Sequence, residues 1–118
     1  ALASVTNVVS DLDRAREAVS KVYGADQVHD AAHGLSVKLP RGRVDVVTPQ
    51  SFPLLHIGAT VPAGPLPRWY AMRIAVSDLG ATEQLLAGRH VPFERLFDGS
   101  IRIQPADASG VLMEFVAA

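Results

Sequence analysis

Twice along this chain a β-branched apolar run passes directly into an amphipathic one, and both junctions carry the same four letters: Val9-Ser10-Asp11-Leu12 and Val76-Ser77-Asp78-Leu79. Ahead of the first junction, Ala3 to Val9 predicts a strand. Beyond it, Leu12, Ala15, Val19, Val22 and Tyr23 recur on one helical face, while Asp13, Arg14, Arg16, Glu17 and Lys21 fall mostly elsewhere. That pattern predicts a helix with Ser10 as its N-cap, acids in its first turn and Gly24 as its stop. Three short strands follow at Gln27 to Asp30, Leu35 to Leu39 and Arg43 to Thr48, the last two joined by the turn Pro40-Arg41-Gly42.

The pattern then breaks. Prolines 49, 53, 62, 65 and 67, with Pro40 just upstream, and Gly58 and Gly64 predict a linker over residues 49–68 that crosses the surface without regular structure, Phe52, Leu54 and Leu55 forming one pinned turn. After it the first pattern returns. Trp69 to Val76 predicts a strand, and Asp78 to Ala87 a helix with Leu79, Leu85 and Leu86 inward and Gly88 as the stop. Pro92 to Leu96, Ser100 to Gln104 and Val111 to Val116 predict three more strands, the first two linked by the hairpin signal Asp98-Gly99. Each half is βαβββ: module 1 over residues 1–48 and module 2 over 69–118, making one domain. The offset is 67 residues at the Val-Ser-Asp-Leu copies and 69 where Val44-Asp45-Val46-Val47 answers Met113-Glu114-Phe115-Val116.

Composition narrows the function classes. With 118 residues, 48% hydrophobic and 19% charged, the chain is a globular domain large enough to bury a core. Eleven basic and twelve acidic residues leave a net charge of −1 with no basic stripe, which argues against a nucleic-acid partner. No apolar run reaches the roughly 20 residues of a membrane span, so a membrane partner is not expected either. The absence of cysteine removes disulfides, thiolate metal sites and thiol catalysis, and fits a cytoplasmic protein.

Two βαβββ modules with carboxylates at matching places in their fourth strands, together with the stretches Val5 to Leu12, Tyr70 to Leu79 and Gly110-Val111-Leu112-Met113-Glu114-Phe115, resemble the vicinal oxygen chelate superfamily. Its members include glyoxalase I, bleomycin-resistance proteins and extradiol dioxygenases. The resemblance implies an α+β fold whose modules pair into a cupped mixed β-sheet with helices outside, a ligand cavity in the cup, and association of two chains. It also implies a divalent metal held by one ligand from each first strand and by fourth-strand residues. The first-strand ligand, usually His, stands seven residues before the junction aspartate; that count reaches Ser4 and Ala71, neither an imidazole. Asp45 and Glu114 occupy the fourth-strand positions. Two carboxylates without nitrogen ligands suit Zn²⁺ or Fe²⁺ poorly, so no catalytic metal is expected, with a weak oxygen-ligated divalent ion at Asp45 or Glu114 left open.

Strand alternation carries the resemblance inward. With Ala71 facing the cup, Arg73 and Ala75 share that face, and Arg73 looks toward Glu114. Ser4, Thr6 and Val8 face the cup from the first strand, joined by Arg43, Asp45 and Val47 and by Leu112, Glu114 and Val116. Arg73 with Glu114 has two readings: an ion pair standing in place of a metal site, or a catalytic pair in which Arg73 binds a ligand oxygen and Glu114 is the base. Ser4, Thr6, Arg43, Asp45, Trp69 and Leu112 are the candidate ligand-binding residues, Trp69 at the cavity edge or on a dimer surface; Tyr70 is assigned to packing. His29 and His33 are assigned to a solvated hairpin loop, His56 to the linker surface, with a fold over the cup mouth as a substrate contact as its other reading, and His90 to the end of the second helix. The function expected is small-molecule binding in a homodimer; turnover is left open, and if the molecule is turned over the chemistry expected is that of a metal-independent lyase or isomerase acting by proton abstraction. The alternatives are a non-catalytic drug- or metabolite-sequestering module, and the C-terminal part of a longer glyoxalase-like protein.

Overall fold

The computed structural model describes residues 1–61 and 64–118; Pro62 and Ala63, inside the predicted linker, lie outside the described residues. In chain order the elements are β1 (Leu2–Val8), α1 (Leu12–Tyr23), β2 (Val28–Ala31), β3 (Gly34–Leu39), β4 (Gly42–Val47), α2 (Phe52–Leu55), β5 (Arg68–Val76), α3 (Leu79–Gly88), β6 (Glu94–Arg95), β7 (Ile101–Ile103) and β8 (Leu112–Ala117). The α+β class and the repeated βαβββ order are those expected. None of the helices among the described residues is long and apolar enough to cross a membrane. The chain forms two compact units, residues 4–70 and residues 71–118, the latter including residues 1–3.

In the unit of residues 4–70 the strand order is β2-β3-β4-β1. β1 runs parallel to β4, pairing Ser4 with Arg43, Thr6 with Asp45 and Val8 with Val47, and both hairpins are antiparallel. Alternation separates the two faces. Val9, Leu35, Val37, Val44 and Val46 form a buried cluster on one side, against which Leu12, Ala15, Val19 and Tyr23 of α1 pack. The expected stripe included Val22, which is 74% exposed; at roughly 100° per residue it lies at the stripe's margin. The N-cap is Asp11 rather than Ser10: its carboxylate accepts from the N–H groups of Asp13 and Arg14 at 3.0 and 3.2 Å. Gly24 ends the helix at φ +95°, a conformation only glycine adopts freely.

The linker departs from expectation. Rather than crossing the surface without regular structure, it makes the short helix α2, which Pro53 starts without loss because the first turn's N–H groups have no helical partners. Phe52 and His56 are fully buried and stacked, with ring centroids 4.9 Å apart, and Phe52 meets Tyr70 edge-on at 5.4 Å. Tyr70 therefore packs as a core residue, as expected, but on Phe52, and its hydroxyl donates to the Thr60 carbonyl at 3.3 Å. His56 Nε2 stands 2.9 Å from Thr6 Oγ1, so this segment covers the β1 face opposite α1 and His56 is no surface residue.

In the other unit the order is β5-β8-β7-β6. β5 and β8 are parallel, β8–β7 and β7–β6 antiparallel. Ala1 exchanges two backbone hydrogen bonds with Ala75, its amino group on the Ala75 carbonyl at 2.9 Å and its own carbonyl accepting at 2.8 Å. Asp78 caps α3 by accepting from the Ala81 N–H. Leu79 and Leu86 are partly buried, but Leu85 is 56% exposed: six residues from Leu79 turns it to the far side of the helix. The strand expected over Pro92 to Leu96 shrinks to Glu94–Arg95, and Pro105 begins a short turn that stops β7 at Ile103.

Candidate functional site

Each unit carries one buried carboxylate on its fourth strand, and each is met by arginine of its own sheet. Glu114 is 2% exposed. Its neighbour in register on β5 is Arg73, whose Nε donates to Oε1 at 2.8 Å. Its neighbour on β7 is Arg102, which donates through Nε at 2.8 Å and Nη2 at 2.7 Å to Oε2. Arg102 in turn pairs in register with Glu94 on β6, Nη1 lying 3.9 Å from its carboxylate. One rung across four strands thus reads Arg73, Glu114, Arg102, Glu94, with alternating sign. A side-on guanidinium on each oxygen leaves Glu114 strongly solvated by charge despite its burial.

The matching rung of the other unit reads Thr6, Asp45, Ser36, His29. Asp45 is fully buried; Arg43 Nε donates to both its oxygens, at 2.9 and 3.0 Å, and His33 Nε2 lies 3.0 Å from Oδ1. The aspartate takes its charge compensation from Arg43, two residues away along its own strand, and a further hydrogen-bonding neighbour, His33, from the β2–β3 turn, because its rung neighbours are hydroxyls.

The structure therefore brings Arg73 to Glu114 as alternation implied, and places Ser4, Thr6, Arg43 and Asp45 on one face of β1 and β4. Leu112 is buried beside Ala71. Trp69 is 57% exposed and Arg73 partly exposed. Three side chains stand elsewhere than their default assignment, or had none. His33, assigned to a solvated loop, is only 16% exposed and turns in on Asp45, whereas His29 is exposed as expected. His56 is buried on Thr6. Arg102 was not a candidate at all, although Ile101 and Ile103 on either side marked it as belonging to the opposite face of the strand. The exposed His90 sits at the end of α3, its own N–H bonded to the Ala87 carbonyl. Asp98, in the β6–β7 turn, is held below the ordinary carboxylate value by the Ser100 hydroxyl at 2.6 Å and then the Ser100 N–H.

The metal that the resemblance implies finds no matching donors. The first-strand positions hold Ser4 and Ala71, and the carboxylate oxygens that would face a cation already face guanidinium groups. Among the described residues no three His, Cys, Asp or Glu side chains are grouped to hold a metal ion.

Two βαβββ units, each with its acid on the last strand, define the vicinal oxygen chelate, or glyoxalase-like, fold. Solved structures of that fold superpose on nearly the whole chain. Methylmalonyl-CoA epimerase from Mycobacterium tuberculosis matches with a TM-score of 0.60 at 22% identity, over 98% of this chain and 86% of that one. A hypothetical protein from Bacillus halodurans C-125 matches at 0.60 and 14%, over 100% and 94%. A variant Streptomyces coelicolor methylmalonyl-CoA epimerase in complex with 2-nitronate-propionyl-CoA matches at 0.55 and 17%, over 100% and 94%. No family model and no curated protein sequence matches the chain. At these identities the likeness shows the fold.

Proposed function

We propose that this protein binds a small organic molecule and that fixed arginine guanidinium groups take the role a divalent ion plays elsewhere in the fold, that of a positive centre for ligand oxygens. The observation that carries this is the capture of both buried fourth-strand carboxylates, Asp45 and Glu114, by arginines of their own sheets. A buried acid needs a compensating cation to persist. Arginine supplies it, and the partly exposed guanidinium of Arg43 offers a forked donor that suits carboxylate, phosphate or thioester oxygens. Ser4, Thr6 and Trp69 in the one unit, and Leu112 in the other, are each proposed as ligand contacts of their own unit, and a cytoplasmic homodimer is the proposed setting.

A catalytic form of the same reading draws on the epimerases among the structural neighbours. A metal-independent isomerase or lyase would use Arg73 to hold a carbonyl or carboxylate oxygen and Glu114 to remove a proton from the adjacent carbon. Since both Glu114 oxygens accept from guanidinium groups, the ligand must draw one arginine away before the carboxylate can act as base. The sequestration alternative needs no such displacement.

The test is a calorimetric screen of small organic acids and acyl-CoA thioesters, followed for each binder by proton exchange in D₂O. Saturable binding supports the proposal, and its absence across the panel overturns it. For any binder, Glu114→Gln separates the two forms: exchange lost with binding kept makes Glu114 the base, whereas binding without exchange in the unaltered protein points to sequestration.

A further inference from the structure

Two residues along the strands from the Asp45 rung, on the same face, lies a second rung, in which Ser4 of β1, Arg43 of β4 and Lys38 of β3 stand side by side in register. We propose that these three residues form the subsite for an oxyanion of the ligand, a carboxylate or a phosphate. The inference rests on the small-molecule reading above and names the chemistry of one end of that molecule.

Four observations support it. Arg43 is anchored through its Nε, which donates to both oxygens of a fully buried aspartate and so restrains the guanidinium. Its side chain is 41% exposed, and among the described residues no acceptor meets its Nη hydrogens. A fork whose orientation is already restrained loses little freedom when an oxyanion docks. Next, Lys38 faces Arg43 directly across the β3–β4 pair, and like charges in that relation repel unless an anion lies between them. Third, the Ser4 hydroxyl, in a residue 2% exposed, has no hydrogen-bond partner among the described residues, where buried hydroxyls normally have one. Last, the equivalent rung of the other unit begins Ala71, Leu112 and carries neither charge nor hydroxyl at those positions. The positive rung is therefore no general property of the fold's framework.

The charges add up to a cationic site. Arg43 and Lys38 contribute two positive charges against the one of Asp45, whose Oδ1 also meets His33. Exposure falls along the rung from Lys38 through Arg43 to Ser4. The anion thus seats on the two cations at the open end, and an uncharged ligand oxygen is directed to the Ser4 hydroxyl at the closed end.

The experiment titrates inorganic phosphate, malonate and coenzyme A separately into the protein at constant ionic strength, read by ¹H–¹⁵N NMR of the backbone and of the Arg43 Nε–H. The expected result is saturable shifts at Ser4, Arg43 and Lys38, with phosphate and coenzyme A winning if the source is a phosphate and malonate winning if it is a carboxylate. Arg43→Gln should weaken the preferred anion about tenfold or more, as loss of a charge-assisted fork does. Lys38→Met, a surface change that spares folding, should weaken it several-fold, and Ser4→Ala less. Shifts reproduced by chloride, shifts away from the rung, or affinity unchanged in both Arg43→Gln and Lys38→Met would overturn the subsite. Should a ligand from the broader screen bind Arg43→Gln and Lys38→Met as well as the unaltered protein, the subsite fails while the small-molecule reading stands. Phosphate binding at the rung with no organic ligand found does the reverse: the subsite stands and the small-molecule reading fails.

Discussion

Arg102 offers the sharpest test of how the charged rung is held. Replacing it with Met keeps much of its buried stem volume but removes the two Arg102 N–H donors that reach Oε2 of Glu114, at 2.8 and 2.7 Å, in a place where the two side chains are only 3% and 2% exposed. Removing one partner of a buried ion pair costs about 3–5 kcal/mol, because the other charge stays behind without compensation. Arg73 still holds Oε1 at 2.8 Å, which puts the expected loss near the lower end, about 3 kcal/mol. Against a total stability of about 5–15 kcal/mol that is a large fraction. For a chain of this size it corresponds to a fall in Tm on the order of 10–15 °C. The assay is urea unfolding followed by far-UV circular dichroism, with Glu114→Gln and the double variant completing a cycle. Once Glu114 is uncharged, losing Arg102 should matter less, so the two changes should be non-additive by at least about 1 kcal/mol. A loss below about 1 kcal/mol for Arg102→Met, or additivity in the cycle, would show that the rung is screened by water and that its charges are not energetically coupled.

Gly34 begins β3 at φ +141°, and a Cβ there would stand 2.4 Å from the Val46 carbonyl oxygen, so Gly34→Ala should cost about 2 kcal/mol or more, measured by the same unfolding curves. Thr6→Val keeps the shape of a fully buried residue but removes the hydroxyl facing His56 Nε2 at 2.9 Å; about 1–3 kcal/mol should be lost, and a smaller value would mean that His56 is satisfied elsewhere. Asp98 titrates below the ordinary carboxylate value because the Ser100 hydroxyl and N–H bond to its ionised form. The unfolded state therefore binds its proton first as pH falls, so the stabilisation is complete above the ordinary value of 3.8 and is lost as pH drops through the lower folded-state value. Ser100→Ala should raise the Asp98 midpoint in a carboxyl NMR titration, and an unmoved midpoint would refute the assigned cause.

What could be read from the sequence, and what could not, follows the distance over which each feature is determined. The junction aspartates were legible because capping is local: Asp11 and Asp78 reach N–H groups two or three residues on. The strands were legible from alternation within a few residues, and Arg73 with Glu114 from alternation plus the offset of the repeat. Arg102, His33 and His56 were not, since each meets its partner through register or fold-back. Arg102 reaches Glu114 only once β7 has been set against β8, and His56 reaches Thr6 across fifty residues of chain. Proline density misled for a related reason. It marks where long helices and strands stop, but Pro53 in the first turn of α2 is compatible with a helix, and what holds α2 is the burial of Phe52 and His56.

The two halves keep one backbone plan and differ in how they hold the same acid. On the rung of Glu114 both flanking strands supply arginine; on that of Asp45 they supply Thr6 and Ser36, and the cation comes instead from Arg43, two residues away on the same strand. Arginine beside the acid along a strand, rather than across from it, leaves the guanidinium on the next rung, where it faces Lys38 and Ser4. Each buried carboxylate is met by arginine of its own unit, and the two solutions have different consequences. The cross-strand solution encloses Arg102 and commits it to Glu114 and Glu94. The same-strand solution turns Arg43 outward with its fork available. The asymmetry between duplicated halves, more than the acids they share, is thus what points to where a ligand's charge would be read.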